Sequence, residues 1–441
     1  MGLSPVKDLG PMEHDLRAFY PLHPSITEED WFDIASWYLK NAPSTLEPAS
    51  RPPIRPPSKL FAAETINSPA SPPMTVFADI LANGTRILGS GTNNSVQLMP
   101  ASGPEFTFQL HGPPSAVHVD GTKAYITDMG ILWPHDSAVG KLWMVDLERR
   151  SQKPVIVLKG LRRPTHVNVA DLDGDGTKEF VVCEFGNSLG RMGWYQQRPK
   201  GGFTYHELVG TPGAIRTHIR DMNGDGRPDI VVLLAQARER ILVFINQGQG
   251  RFEERELLAF HPAFGSSSVV LHDMNNDGMV DIIVTNGDNG DYEQPPLKPY
   301  HGVRIFINQG QWEFKQQTFL AVHGCYGAAP VDFDGDGDID ILTIAYFPDY
   351  KSSPAEALLL WEAQTDGTFI PNEVPGSLDG RWLVLGAADA DGDGDVDVLL
   401  GNVSNGPGVV PASLAEQWQS GTVQALLLRN QTKDHAALPR R

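Results

Sequence analysis

Short apolar runs recur along the chain from about Phe61 to Asn430, each bounded by turns rich in Gly, Asp, Asn and Pro. MTVFADI, TRILGSG, NSVQLMP and FTFQLHG follow one another closely, and AVHVDG, KAYITDM, GKLWMVD and PVIVLKG come next. β-Branched and aromatic residues dominate these runs, and several alternate apolar with polar positions, so they predict strands grouped in fours. The quartet begins again near His166, Arg216, Ser268 and Gly327, and a last one near Leu383 has three runs, ending at ALLLRN. Repetition of one unit every ~50–60 residues is the signature of a propeller or a stacked array. The count predicts an all-β fold, a seven-bladed β-propeller of four-stranded blades over residues 59–430. Its last blade would take the missing strand from Lys59–Ile66, closing the ring without an open edge.

Ahead of the strands the period changes. Thr27-Glu28-Glu29-Asp30 sets a capping hydroxyl and early acids at a helix start, and Trp31, Ile34, Ala35, Tyr38 and Leu39 then share one face until Pro43. Such a short helix is expected to pack on the propeller. A proline-rich, stiff linker containing RPPIRPP follows, so residues 1–58 form a helix-and-linker segment. Residues 1–24 show no pattern, and 431–441 form a tail.

The strongest local signal is Asp332–Asp340, DFDGDGDID, with acids at the first, third, fifth and ninth positions and glycines at the fourth and sixth. Ca²⁺ takes six to eight oxygens at about 2.3–2.6 Å, and alternate residues of a tight loop can turn their oxygens inward. An EF-hand would place a glutamate at the twelfth position on a helix, but here that position is Thr343 inside a β-branched run. The loop therefore leads into a strand. Four more copies exist: DLDGDGTKE from Asp171, DMNGDGRPD from Asp221, DMNNDGMVD from Asp273 and DADGDGDVD from Asp389. The candidate ligands are Asp171, Asp173, Asp175 and Glu179 with the Thr177 carbonyl, then Asp221, Asn223, Asp225 and Asp229 with that of Arg227. Asp273, Asn275, Asp277 and Asp281 with Met279 follow, then Asp332, Asp334, Asp336 and Asp340 with Asp338, and Asp389, Asp391, Asp393 and Asp397 with Asp395.

This D-x-[DN]-G-D-G-x-x-D loop between strands resembles the FG-GAP/VCBS repeat, known from Ca²⁺-loop β-propellers such as the integrin α head. RPTHVNVADLDGDG, PGAIRTHIRDMNGDGRPD, DFDGDGDIDILTIAYFPDY and GRWLVLGAADADGDGD are also similar to bacterial VCBS-repeat proteins, over roughly residues 25–430. The resemblance implies about five structural Ca²⁺ sites and export from the cytoplasm. It also likens the early helix to the tail of a haem-binding, cytochrome-like segment. Such a segment needs C-x-x-C-H, which this sequence lacks, so no haem is expected.

Charge changes the picture in one respect. The formal net charge is −19, which argues against a nucleic-acid partner. The five loops hold twenty acidic residues against two basic ones, Lys178 and Arg227, so five divalent cations would roughly halve that charge. The two cysteines, Cys183 and Cys325, stand three repeats apart and are expected to be free thiols. No run approaches 18 apolar residues, so no membrane span is expected. The first residues carry neither the basic nor the apolar region of a signal peptide, yet Ca²⁺ sites of this kind suit an extracytoplasmic setting, periplasmic, cell-surface or secreted.

In each blade the acidic loop joins the innermost strand to the second, so these loops share one face of the disc. The blade-to-blade and second-to-third connections share the other, the loop face. There the chain supplies Arg163, Thr165, His166, Arg216, His218, His323, Tyr326, Arg381 and Trp382 at blade entrances, and Glu184, Asn187, Asp288, Tyr292, His301, Tyr346, Asp349 and Tyr350 in long connections. Loops on a rigid scaffold commonly carry function. One reading is a non-catalytic propeller that binds a glycan or an extracytoplasmic protein through Arg381, Trp382, Glu184, Asn187, Asp288, Tyr292, His301 and Tyr346. The other is a carbohydrate-active enzyme, a polysaccharide lyase or sugar dehydratase, in which His166, His218 or Tyr326 takes a proton α to a carbonyl and Arg216 holds the enolate. No G-x-S-x-G, H-E-x-x-H, phosphate loop or C-x-x-C is present, and the binding reading stands first.

Overall fold

Seven four-stranded antiparallel sheets hold all twenty-eight strands among the described residues of the computed structural model, which are 26–433 apart from 45, 48, 150–152 and 237. Blade one has Thr75–Ile80 innermost, blade two Pro114–Asp120, blade three Pro164–Ala170, blade four Ala214–Arg220, blade five Ser266–His272 and blade six Cys325–Val331. Blade seven runs from Trp382–Ala388 through Asp397–Asn402 and Val423–Asn430 to Phe61–Asn67, so its outermost strand comes from the other end of the chain. Phe61 pairs with Asn430 and Ile66 with Ala425 across that junction. The expected residues 1–24 and the end of the tail lie outside the described residues.

The second strand of each cation-loop blade is buried throughout, with an apolar middle, because blades cover both of its faces. Glu179–Glu184, Asp229–Leu234, Asp281–Asn286, Asp340–Ala345 and Asp397–Asn402 are buried at every position. Seven apolar clusters fill the seven spaces between neighbouring blades. The one that joins the last blade to the first contains Ala78, Ile80, Leu88 and Met99 against Leu399, Ala425 and Leu427.

The inner strands form a continuous ring, each touching the next. Hydroxyls stitch it together: Ser115 Oγ donates to Pro164 O at 2.7 Å, Thr165 Oγ1 to Ala214 O at 3.0 Å and Ser267 Oγ to Cys325 O at 2.8 Å. Both cysteines are free and buried.

Two N-terminal expectations need correction. The helix Glu28–Asn41 forms with the expected capping box, but it buries no residue. Trp31, Ile34 and Tyr38 are exposed, so the helix does not pack on the propeller. The proline-rich segment after it, in contrast, is no free spacer. Arg55 N donates to Pro371 O at 2.8 Å, Glu373 N to Arg55 O at 3.1 Å and Ser58 N to Glu373 O at 2.9 Å. Arg51 pairs with the fully buried Glu356 and donates to Ser353 Oγ at 2.7 Å. The segment is a strap along blade six.

Candidate functional site

Each acidic loop is a tight turn organised by its first aspartate. Asp171 Oδ1 accepts from Gly174 N at 2.8 Å and Oδ2 from Gly176 N at 3.0 Å; Asp332 does the same with Gly335 and Gly337, and Asp389 with Gly392 and Gly394. Gly335 and Gly337 stand at φ 76° and 99°, conformations that a side chain would strain. The ninth residue ties the loop to the blade: Asp340 accepts from Phe333 N at 3.2 Å and from Ala363 N on the third strand at 2.8 Å. Asp229, Asp281 and Asp397 repeat that pattern.

Carboxylate oxygens of Asp171, Asp173 and Glu179 converge within 4.8 Å, as do those of Asp332, Asp334 and Asp336, and of Asp389, Asp391 and Asp397. Like charges this close repel. Burial, reinforced by the neighbouring carboxylates, pushes Glu179 and Asp340 up to about 7. Glu179 Oε1 and Asp395 Oδ1 are buried with no hydrogen-bond partner. These donor sets fit a hard, oxygen-seeking cation. The loop of blade four departs from the rest, because Arg227 Nη2 already sits 2.5 Å from Asp225 Oδ2; the Asn223 Nδ2 bond to that oxygen at 3.0 Å recurs in blade five, where Asn275 Nδ2 donates to Asp277 Oδ2 at 2.9 Å.

On the axis, register equivalence puts Arg216 of blade four opposite His166 of blade three, and His218 opposite Asn168. His118 and Asp79 occupy the His218 position in blades two and one. The structure thus brings His166, Arg216 and His218 together. His218 Nε2 lies 2.9 Å from Val269 O, so that nitrogen carries the proton and donates it to blade five. Burial and then Arg216 lower its pKa to about 4, and the same two causes hold His166 well below the usual range. Both imidazoles are neutral at pH 7. His218 is a weak base there, and its bonded nitrogen acts as an inter-blade stitch. Tyr326 keeps other company: its hydroxyl donates to Asp288 at 2.7 Å and its ring meets Tyr346 and Phe347.

Several expected ligand-binding residues are enclosed instead. Trp382 is fully buried and donates from Nε1 to Ser377 O at 3.0 Å, so it offers no face to a ligand. Glu184 is fully buried and accepts from Arg162 N, Arg191 Nε and Tyr195 OH, each at 2.8 Å. It pins the blade entrance, as Asn402 does by accepting from Arg381 N at 2.9 Å. Tyr346 is buried, with its hydroxyl on Asn405 O and its ring under Arg381. His301 is buried and accepts from Gly324 N. Asn187 is half-buried and bonded through its backbone to Asp136 and Gln236. Asp288 and Tyr292 are exposed.

Sequence reasoning missed the exposed apolar residues of the loop face: Ile131, Trp133 and Val139 in blade two, Leu297 in blade five and Val409 in blade seven. Their position in long second-to-third connections was the available signal. It also missed His118 and Asp79, which the period-two parity of the inner strands could have found.

Residues 171–232, 221–284 and 286–343 match the FG-GAP-like repeat. Integrin alpha-V of Gallus gallus is 25% identical over 199 residues, which is 39% of this chain and 19% of the integrin. The chain thus spans about a fifth of that relative's length. A streptogramin B lyase structure aligns with a TM-score of 0.51 at 12% identity, covering 85% of this chain and 100% of that chain. Catalytically inactive virginiamycin B lyase from Staphylococcus aureus, crystallised with quinupristin, aligns at 0.50 and 10%, covering 83% and 99%. At such identities the two lyases share the fold with this chain.

Proposed function

We propose that this FG-GAP-type β-propeller is a non-catalytic, extracytoplasmic binding protein that meets a protein partner on its loop face. One observation carries the reading. Among the described residues of the propeller, six of the nine large exposed apolar side chains lie in the loop-face connections, Ile131, Trp133, Val139, Tyr292, Leu297 and Val409; the others are Val155 and Ile156 on the outer strand of blade two and Met279 in an acidic loop. Single exposed apolar residues are ordinary, but a collection on one face marks an interaction surface. Aliphatic groups outnumber aromatic platforms in it, which suits a protein surface better than sugar rings. On the opposite face the acidic loops would hold Ca²⁺ through the side-chain oxygens at their first, third, fifth and ninth positions, the third being Asn223 and Asn275 in blades four and five. The ion supplies positive charge that lets these acids share one loop, a structural role. Affinities of such sites suit millimolar to micromolar Ca²⁺, which supports the extracytoplasmic setting.

The test compares a loop-face variant, Trp133→Ser with Tyr292→Ser, with Met279→Ser on the cation-loop face. Retention of extracellular proteins from the producing organism, and of an immobilised glycan array, is measured for each. Protein retention lost in the first variant and kept in the second is expected. Unchanged retention in the first overturns the reading, and loss confined to glycan spots makes the ligand a sugar.

A further inference from the structure

Arg381, at the entrance to blade seven, is 2% exposed, and among the described residues no carboxylate stands within 4 Å of its guanidinium. Buried charges are ordinarily paired with an opposite charge. Here Nε donates to Tyr346 O at 3.2 Å, Nη1 to Gly406 O at 3.5 Å and Nη2 to Pro407 O at 2.6 Å. The charge also lies 3.6 Å over the centre of the Tyr346 ring. These are dipoles and a π-face, which soften a cation without neutralising it. A guanidinium has five N–H groups, so these three carbonyls leave two that face only tyrosine side chains and the cavity.

That guanidinium forms part of the wall of a cavity of about 230 Å³, where the connections of blades five, six and seven meet. Phe347 and Tyr350 line it from blade six, Pro295 and Leu297 from blade five, and Val409 from blade seven. Leu297 is 45% exposed and Val409 65%, so the apolar wall continues outward. The Tyr350 hydroxyl is buried beside the Arg381 guanidinium, which interacts with it directly, and it has no other hydrogen-bond partner. Lys351 adds a second cation. The acid in the lining, Asp349, accepts through Oδ1 from Lys351 N at 3.1 Å and Ser352 N at 3.0 Å, and with Lys351 and Arg381 in the same wall the lining keeps one net positive charge.

A cation without a counter-charge, a hydroxyl beside it and apolar walls in one cavity describe a complementary ligand. We propose that this cavity binds a carboxylate carried on an apolar body. Its oxygens take the Arg381 N–H groups not spent on carbonyls and the Tyr350 hydroxyl, and its body lies against Phe347, Leu297 and Val409. The inference rests on the loop-face reading above and gives it a chemical class. Charge-assisted, multidentate capture of a carboxylate is what arginine does best.

The same chemistry is offered by a free aryl-alkanoic acid or by an apolar residue at the C-terminal end of a peptide. Calorimetric titration of the whole chain with 3-phenylpropanoate and with N-acetylphenylalanine, each against its amide, tests the class and separates the sources. The acids are expected to bind at least tenfold more tightly than the amides, and the tighter acid identifies the source. Arg381→Gln removes buried contacts that join three connections, so Tyr350→Phe is the working variant: at least fivefold weaker binding of the acid with an unchanged Tm is expected. Equal binding of acid and amide, no binding at millimolar concentration, or an unaltered Tyr350→Phe overturns the proposal. Failure here with partner loss in the Trp133/Tyr292 variant leaves the loop-face reading intact. Acid binding with no partner loss overturns that reading and leaves a small-molecule site.

Discussion

His301 is 1% exposed, and burial together with Lys298, His323 and Arg304 pushes its pKa down to about 3. An unfolded histidine titrates near 6.5. The folded chain therefore refuses a proton that the unfolded chain accepts. The stabilising contribution is complete above about pH 6.5 and is lost progressively as pH falls toward 3, by about 1.4 kcal/mol per pH unit for this group at most. His301→Asn, whose amide oxygen can still accept from Gly324 N, is expected to lose less stability than the native chain between pH 7 and pH 5, as read by urea unfolding at both values. An identical loss in both proteins would show that His301 does not titrate in that way. Burial likewise explains why Glu184 and Trp382 are poor ligands: Arg162 N, Arg191 Nε and Tyr195 OH take the oxygens of Glu184, and Ser377 O takes the Trp382 N–H.

At the scale of elements, the N-terminal segment divides into three parts with different duties. The helix Glu28–Asn41 buries nothing, the strap at 51–58 bonds to blade six, and Phe61–Asn67 completes blade seven. Removing residues 1–44 is expected to leave Tm unchanged. Removing 1–58 strips Arg51 from the buried Glu356, and breaking such a pair costs about 3–5 kcal/mol. That fragment should fold with a lower Tm, because His323 still contacts the carboxylate at 3.1 Å. Removing 1–68 bares the edge of Val423–Asn430 and should abolish a soluble, cooperatively melting product. Thermal melting of the three truncations checks the order, and a 69–441 fragment that melts cooperatively would refute the closure argument.

For the whole molecule, stability is shared by seven inter-blade clusters closed in a circle, and the acidic loops sit at one rim of that circle. In blades three to seven each loop holds its first two strands together, so an uncompensated cluster of carboxylates strains a joint rather than an end. Chelation with EDTA is expected to lower Tm well beyond the change that a matched rise in ionic strength causes, and added Ca²⁺ should restore it. A melting curve indifferent to EDTA would mean that the carboxylates tolerate one another without an ion.

The strands, their grouping in fours, the acidic loops and the count of seven blades were legible in the amino-acid order. Strand periodicity, glycine at positive φ and aspartate at alternate loop positions all act over a few residues. The helix at Thr27 was legible for the same reason, since its cap lies within one turn. Which residues the loop face exposes was not. Arg381 and Trp382 are neighbours at a blade entrance, yet one lines a cavity and the other fills the core against Ser377. Strap and helix likewise differ in nothing local that would tell docking from exposure; Arg51 docks because Glu356, 305 residues away, waits buried without another guanidinium. Burial on that face is decided by contacts between blades far apart in the chain, and no local pattern encodes the geometry that brings them together.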